Sequence, residues 1–103
     1  MQYQHPGRLL QQELTSRGMT QKEFALLIGK KISEVNELIK GKRNITVQRD
    51  ILLSVVLGDP EQKWIKLQTE YEYETTKAAM TEKIQELLSK QKKSKEHEVF
   101  QDF

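Results

Sequence analysis

Hydrogen-bonding side chains are concentrated in the short segment between Gly29 and Gly41 of this 103-residue chain. Hydroxyl, carboxylate, carboxamide and amine groups alternate there with aliphatic residues, and a basic run, KGKRN at 40–44, closes the segment. Such groups donate and accept hydrogen bonds, and the cations attract anionic groups. The segment therefore predicts polar and electrostatic binding rather than bond-breaking chemistry.

Residues that could serve catalysis or bind a metal are few. The chain has no cysteine, and its two histidines, His5 and His97, lie near opposite ends. No glycine-rich loop precedes a phosphate-binding lysine, and the carboxylates of Glu70, Glu72 and Glu74 alternate, so they cannot all share one helical face. We therefore expect a protein that is not an enzyme and that has no metal site and no cofactor.

Charge is divided unevenly along the chain. Residues 1–50 carry nine Lys/Arg against five Asp/Glu, whereas residues 51–103 carry eight against ten. A local basic excess favours an anionic partner even though the formal net charge is only +2. No signal peptide opens the chain, no apolar run approaches the roughly 20 residues of a membrane span, and the lack of cysteine fits a reducing compartment. We expect a cytoplasmic protein without membrane contact.

The apolar residues recur with a helical period, which predicts an all-α fold. Helices are expected to begin at residues with cap chemistry and to end at glycines. In chain order the predicted starts are His5-Pro6-Gly7, Thr20 with Glu23 in a capping box, Ser33, Thr46 and Asp59-Pro60-Glu61. The predicted ends are Gly18, Gly29, Gly41 and Gly58. The second helix is expected to bury Phe24, Ala25, Leu27 and Ile28.

The C-terminal part of the chain is less regular. Beyond Tyr71 neither proline nor glycine intervenes, so the fifth helix either continues or restarts near Thr81, a residue with cap chemistry. We predict a domain over residues 1–73 and a helical extension with a partly flexible, lysine-rich tail over residues 74–103. Three apolar residues at the terminus are candidates to dock on a partner: Val99, Phe100 and Phe103.

Residues 21–40 have the types that two helices crossing at a tight turn require. Ala25 is small where the second helix must approach closely, and Gly29 permits a turn conformation that is costly for other residues. Val35 and Leu38 then face the first helix. We interpret this segment as a helix-turn-helix that binds DNA. A helical pair that serves only protein interaction is the alternative that the pattern leaves open.

Short motifs around this segment recur in a characteristic order. They are His5-Pro6-Gly7, Gly18-Met19-Thr20-Gln21, Ser33 with Val35, Gly41-Lys42-Arg43, Ile45-Thr46, Leu57-Gly58, Trp64 and Leu67-Gln68. Over about residues 5–73 the chain resembles the HigA-type antitoxins, or plasmid maintenance system antidote proteins, of the phage-repressor-like (XRE/Cro-C1) helix-turn-helix class. Lys30 and the segment 59–63 depart from the family pattern. The resemblance implies a five-helix phage-repressor-like domain with a variable C-terminal extension.

The same resemblance implies two activities. The first is repression of the operon that encodes the protein, and the second is neutralisation of a small ribonuclease toxin, an enzyme that cleaves messenger RNA, by complex formation. A stand-alone transcription regulator without a toxin partner is the alternative.

In a helix-turn-helix the second helix enters the major groove, where each base pair displays a distinct hydrogen-bonding pattern. Among the outward residues, Asn36 could pair with adenine, Glu37 could accept from cytosine, and Ile32 could touch a thymine methyl group. The predicted base-reading residues are Ile32, Ser33, Glu34, Asn36, Glu37 and Lys40. A capping role for Ser33 and solvated charges at Glu34 and Glu37 are the alternatives.

Phosphate contacts are expected on both sides of this reading helix. The start of the preceding helix exposes N–H groups that favour an anion, and the basic loop that follows supplies cations. The predicted phosphate-binding residues are Gln21, Lys22, Lys31, Lys42, Arg43 and Asn44.

A single helix reads only a few base pairs, so we expect a homodimer on a palindromic operator with half-sites roughly 34 Å apart. From Tyr73 onward, positions 73, 77, 80, 84, 87 and 91 advance by four and three, as in a coiled-coil seam that Lys77 and Gln91 weaken. The predicted dimer or partner interface consists of Trp64, Tyr71, Tyr73, Met80, Ile84 and Leu87. Trp64 and Leu67 could instead complete the core of the monomer.

Overall fold

The computed structural model describes the backbone of residues 4–97 and the side chains of residues 4–91. Val99, Phe100 and Phe103, the predicted docking residues of the tail, lie outside the described residues. The all-α prediction is confirmed, because the described part of the chain contains six helices and no strand. They are α1 (Pro6–Ser16), α2 (Gln21–Ile28), α3 (Ile32–Ile39), α4 (Val47–Leu57), α5 (Lys63–Ala79) and α6 (Thr81–His97).

Several predicted helix ends are confirmed by their hydrogen bonds. The Thr20 hydroxyl accepts from the Glu23 N–H at 3.0 Å, and the Glu23 carboxylate accepts from the Thr20 N–H at 2.8 Å, which completes the capping box of α2. Thr46 caps α4 by accepting from the Arg49 N–H. Gly29 and Gly58 end α2 and α4 in the left-handed conformation.

Two predicted helix starts are wrong. α3 begins at Ile32 with Lys31 at the cap position, so Ser33 lies inside the first turn and its side chain does not cap the helix. α5 begins at Lys63, not at Asp59-Pro60. The Asp59 carboxylate accepts instead from the indole N–H of Trp64 at 2.9 Å and pairs with Lys63 at 3.2 Å.

The start of α5 is held by a residue from another helix. Asp50 of α4 is buried, and its carboxylate accepts from the backbone N–H groups of Gln62, Trp64 and Ile65 at 3.1, 2.8 and 2.9 Å. These are N–H groups that have no partner within the first turn of a helix, so the negative charge sits where the helix dipole favours it. No local sequence pattern predicts this cap, because Asp50 and the three N–H groups are 12 to 15 residues apart.

The core lies among α1 to α5 and includes Trp64, whose side chain is fully buried. Ala25, Val35 and Leu38 are buried at the crossing of α2 and α3, as predicted. Leu27 is 59% exposed, so the expectation that α2 buries it is wrong. The buried hydrophobic residues are Leu10, Leu14, Phe24, Ala25, Ile28, Val35, Leu38, Ile45, Leu53, Leu57 and Trp64.

Gly7 sets how closely α1 approaches the end of α3. A Cβ atom at this position would lie 1.9 Å from the carbonyl oxygen of Leu38 and 2.8 Å from that of Ile39. Distances this short are sterically forbidden, so only glycine allows the two helices to meet here. The contact brings the N-terminus of α1 beside the end of α3.

The chain divides into two compact units, Met1–Tyr73 and Glu74–Phe103. A helix break falls within the second unit, where Met80 separates α5 from α6. The helix therefore restarts at Thr81, whose hydroxyl donates to the carbonyl of Ala78 at 2.8 Å. α6 runs to His97 and so includes the lysine-rich segment.

Candidate nucleic-acid interface

The turn between α2 and α3 is closed by backbone geometry. Gly29 has φ 69° and ψ 34°, and the N–H of Lys30 bonds the carbonyl of Ala25 at 3.0 Å. The left-handed conformation is costly for residues with a Cβ atom, so glycine is the favoured residue at this point. Lys30, which departs from the family pattern, is accommodated without loss of the turn.

α3 has one buried face and one open face. Val35 and Leu38 are buried, and at about 100° per residue the side chains of Ser33, Glu37 and Lys40 project from the opposite face. Ser33 and Lys40 are exposed, and Glu37 is half-buried. Ile32 lies at the edge of this face and is 51% exposed. The open face thus presents a hydroxyl, a carboxylate and an amine, flanked by an aliphatic side chain.

Glu34 is turned away from the open face. Its carboxylate accepts from the guanidinium of Arg49 at 3.1 Å, and both side chains are about one-fifth exposed. Arg49 also donates to the backbone carbonyl of Asn44 at 3.0 Å. In place of the predicted base contact, the structure gives Glu34 an ion pair that ties α3 to α4 and to the basic loop.

Asn36 belongs to a chain of side-chain amides. Its Nδ2 donates to Oε1 of Gln21 at 3.2 Å, and Nε2 of Gln21 donates to Oε1 of Gln11 at 3.3 Å. Both Asn36 and Gln21 are half-buried. The chain links α1, α2 and α3 and fixes the orientation of the Asn36 carboxamide, with its Oδ1 left as an acceptor. Gln21, a predicted phosphate contact, therefore also positions a predicted base contact.

Glu37 and Arg43 form a side-chain ion pair. The pKa of Arg43 is raised, first by its hydrogen bond to Glu37 and then by the charge of the same carboxylate. The backbone carbonyl of Glu37 also accepts from the N–H groups of Lys42 and Arg43 at 2.8 and 3.2 Å. A predicted base-reading residue is thus joined directly to the predicted phosphate-binding loop.

The remaining predicted phosphate contacts are open to solvent. Lys22 lies in the first turn of α2, Lys31 caps α3, and Lys42 and Asn44 lie in the loop that follows α3. All four are exposed. The three lysines precede and follow α3 in the chain and give its neighbourhood positive charge, while Asn44 adds an uncharged carboxamide.

His5 is a functional candidate that the sequence analysis missed. Its Nδ1 accepts from the backbone N–H of Gly7 at 3.0 Å, so in the neutral ring Nε2 carries the proton and donates to Oδ1 of Asn44 at 3.2 Å. The ring packs edge-on against Tyr71, with centroids 5.2 Å apart. His5 therefore caps α1 and holds the basic loop. Asn44 is 39 residues away, so the sequence suggested only a helix lead-in.

The predicted interface residues separate into two groups. Trp64 is fully buried in the core of the first unit, so the prediction that it offers surface to a partner is wrong. Tyr71 is half-buried beside His5. The others carry open apolar surface: Tyr73 is 64% exposed, Met80 43% and Leu87 48%, while Ile84 is half-buried.

Other kinds of site find no support in the part of the chain that the structure describes. No three His, Asp or Glu side chains converge there as metal ligands. None of the described helices combines the length and the apolar character that a membrane span needs.

Comparison with known proteins agrees with this geometry. A helix-turn-helix family model, HTH_3, matches residues 10–61, a segment that contains α2, the turn and α3. This chain belongs to the helix-turn-helix family.

A curated relative, the uncharacterized HTH-type transcriptional regulator YddM of Escherichia coli strain K12, is 35% identical over 63 residues, which are 61% of this chain and 67% of the relative.

Solved structures share the fold over most of the chain. An addiction module antidote protein of the HigA family from Coxiella burnetii aligns with a TM-score of 0.78 and 25% identity, covering 84% of this chain and 95% of that one. The Pseudomonas aeruginosa protein PA4674, in complex with its 18-base-pair operator DNA, aligns with a TM-score of 0.78 and 28% identity, covering 84% and 92%. The structural likeness is therefore to HigA-family antidote proteins and to a DNA-bound regulator.

Proposed function

We propose that this protein is an operator-binding autorepressor whose residues 1–73 form the DNA-binding domain. The observation that carries the proposal is the open face of α3, where Ser33, Glu37 and Lys40 project opposite the buried Val35 and Leu38. A helix with one buried face and one polar open face fits the major groove. The operator-bound structure of PA4674 supports the same use of this fold.

Sequence would be read by the open face together with its edges. Glu37 accepts from a cytosine N4 amine, and Ile32 contacts a thymine methyl group. Asn36, whose Nδ2 is already bonded to Gln21, offers Oδ1 to an amine on a base edge. Lys40 donates to a guanine. We leave Glu34 out of this set because Arg49 holds its carboxylate.

Phosphate contacts set the register. Gln21 and Lys22 lie at the start of α2, Lys31 lies at the start of α3, and Lys42, Arg43 and Asn44 lie in the following loop.

Arg43 exchanges its partner on binding: the guanidinium leaves Glu37 for a phosphate, and the freed carboxylate turns to a base. This exchange couples the reading of one base to the neutralisation of one phosphate.

A homodimer on a palindromic operator completes the proposal. Tyr71, Tyr73, Met80, Ile84 and Leu87 form the proposed interface, and residues 74–103 form the helical extension that carries most of it. The exposed apolar surface of Tyr73, Met80 and Leu87 supports association, because one protomer leaves it facing water. The repressor acts in the cytoplasm, where its operator lies.

We further propose an antitoxin role, in which the protein neutralises a small messenger-RNA-cleaving ribonuclease by forming a complex with it. The similarity to a HigA-family antidote protein supports this role. The alternative is a regulator without a toxin partner, and the similarity to a transcriptional regulator supports that alternative.

DNA binding is tested by titrating the full chain with the duplex from upstream of its own gene and with a scrambled duplex, at two salt concentrations, by fluorescence anisotropy. We expect preference for the upstream duplex and weaker binding at higher salt. An Asn36→Ala, Glu37→Ala variant should lose the preference, whereas the exposed, unrelated Glu61→Gln variant should keep it. Equal and negligible binding of both duplexes by the wild type would contradict autorepression.

The antitoxin role is tested separately by coexpressing the neighbouring genes with a tagged copy of this protein. A small basic protein that copurifies, and that degrades messenger RNA once separated from the complex, is the expected result. Sequence-specific DNA binding without any such partner would favour the stand-alone regulator.

A further inference from the structure

A groove lies between the start of α1 and the end of α3, and of the residues that line it only Lys40 and Tyr71 have a role in the contacts proposed so far. It has a volume of about 460 Å³ and opens to solvent. Its lining includes Gln4, His5 and Arg8 from the start of the chain, Lys40 and Gly41 from the end of α3, and Tyr71 from α5. Gly7 makes the groove possible, because it lets the two helix ends meet.

The groove is cationic. Arg8 and Lys40 both line it, and the lining contains no Asp or Glu within the described residues. Neither cation takes part in the ion pairs found among those residues, in contrast to Arg43 and Arg49, which are held by Glu37 and Glu34. An anion can therefore bind Arg8 in this groove without breaking an existing ion pair.

The groove is continuous with the proposed phosphate-binding loop. Lys40 and Gly41, which line the groove, directly precede Lys42 of that loop. A Cβ atom at Gly41 would lie 3.5 Å from Cγ of His5, so the imidazole packs closely on the start of the loop. The same ring donates to Asn44 at 3.2 Å. Arg8 and Lys40 thus add two cations beside a loop that already carries Lys42 and Arg43.

We infer that this groove takes a backbone phosphate of the bound DNA, with Arg8 as a phosphate contact and His5 as the residue that positions the loop beside it. The inference rests on the proposed function, since it adds a contact to the same interface. A phosphodiester fits because its two non-bridging oxygens, which share one negative charge, can accept hydrogen bonds from a guanidinium fork. Such a contact carries no sequence information.

The test compares Arg8→Gln with wild type in the full chain by measuring the DNA affinity over a range of salt concentrations. Loss of one phosphate contact reduces the slope of log K against log[salt] by about 0.9 for each Arg8 removed. We expect this reduction, together with an equal fold loss of affinity for the upstream and the scrambled duplex. Arg8→Lys should restore most of the slope, since a lysine also neutralises a phosphate.

Lys66→Gln is the matched control, because Lys66 is an exposed cation on α5 outside the groove. It should leave the slope unchanged. If Arg8→Gln keeps the wild-type slope while Lys42→Gln reduces it, the groove inference is overturned and the proposed function stands. If the wild type shows no salt-dependent DNA binding, both fall.

A second readout separates DNA phosphate from a free anion. Backbone amide NMR signals of Arg8 and Gly41 are followed on addition of inorganic phosphate alone and of duplex DNA. We expect both signals to shift with the duplex and to remain in place with millimolar phosphate. Saturable shifts with inorganic phosphate would assign the groove to a small anion instead.

Discussion

The two units of the chain differ in whether they bury a set of apolar residues in a core. The first unit buries eleven hydrophobic residues in a core that Trp64 completes. In α6 the apolar residues remain open, with Leu87 and Leu88 48% and 52% exposed and Ile84 half-buried. A helix that leaves its apolar face in water gains little stability from that face. The first unit is therefore stabilised by its own packing, whereas we propose that the second gains stability through association.

The largest expected effect tests the packing of the first unit. In Gly7→Ala the new methyl group would meet the Leu38 carbonyl, so α1 and α3 must separate, and we expect the free energy of unfolding to fall by at least about 3 kcal/mol. Urea denaturation followed by circular dichroism measures it. Gly18→Ala is the control, because its Cβ meets no atom within 4 Å and only the positive φ of 65° is costly, by about 1–2 kcal/mol. Equal losses in both variants would contradict the close approach.

The next effect concerns the cap that joins α4 to α5. Asp50→Ala removes the acceptor of three backbone N–H groups and leaves them near the core without a partner. We expect a loss of about 3 kcal/mol in the free energy of unfolding. Glu61→Gln, an exposed substitution nearby, should change stability by less than about 0.5 kcal/mol. A loss under 1 kcal/mol for Asp50→Ala would show that water replaces the carboxylate at little cost.

Substitutions in the second unit should change the oligomeric state of the protein rather than the stability of the core. An Ile84→Ser, Leu87→Ser variant removes proposed interface surface, so we expect a dimer in the wild type and a monomer in the variant by sedimentation equilibrium. The wild-type melting temperature should rise with protein concentration, and that of the variant should not. Lys83→Ser, an exposed polar change on the same helix, serves as the control. A variant that remains dimeric would place the interface elsewhere.

The smallest effect is expected for substitutions of apolar residues that are exposed to solvent in the first unit. Leu27 and Val55 are 59% and 75% exposed, so Leu27→Ala and Val55→Thr should each change stability by less than about 0.5 kcal/mol. Leu53→Ala, a buried position on the same helix as Val55, should cost about 2–5 kcal/mol. These values come from urea denaturation midpoints. A large loss for Leu27→Ala would mean that the residue is covered, for example by a second protomer.

Local signals predicted much of the fold, and contacts between distant residues account for what they missed. Thr20 with Glu23, Thr46, Gly29 and Gly58 act within a few residues of one another, so their chemistry is readable from the sequence. Asp59-Pro60 has equally good local chemistry for a helix start. The helix nevertheless begins at Lys63 because Asp50, from α4, caps it.

In the candidate site, too, local patterns could be predicted from the sequence and contacts between distant residues could not. The helical period predicted that α3 faces α2 through Val35 and Leu38, and both are buried there. Of the residues predicted to point outward, Ser33 and Lys40 are exposed, whereas Glu34 and Asn36 are half-buried. The hydrogen-bond partners of individual side chains could not be predicted from the sequence, because Glu34 bonds Arg49 and Asn36 bonds Gln21, each 15 residues away. The bond from His5 to the basic loop was not predicted for the same reason, because Asn44 is 39 residues away.

We propose that the open face of α3 reads base pairs while the flanking cations bind phosphates. This is tested by measuring the affinity of wild type, Glu37→Gln and Lys42→Gln for an upstream operator and for a set of duplexes with single base-pair changes in it. We expect Glu37→Gln to relax discrimination at one base pair of each half-site and Lys42→Gln to weaken binding to every duplex by the same factor. If Glu37→Gln leaves all the base-pair preferences unchanged, α3 does not read the operator through this face.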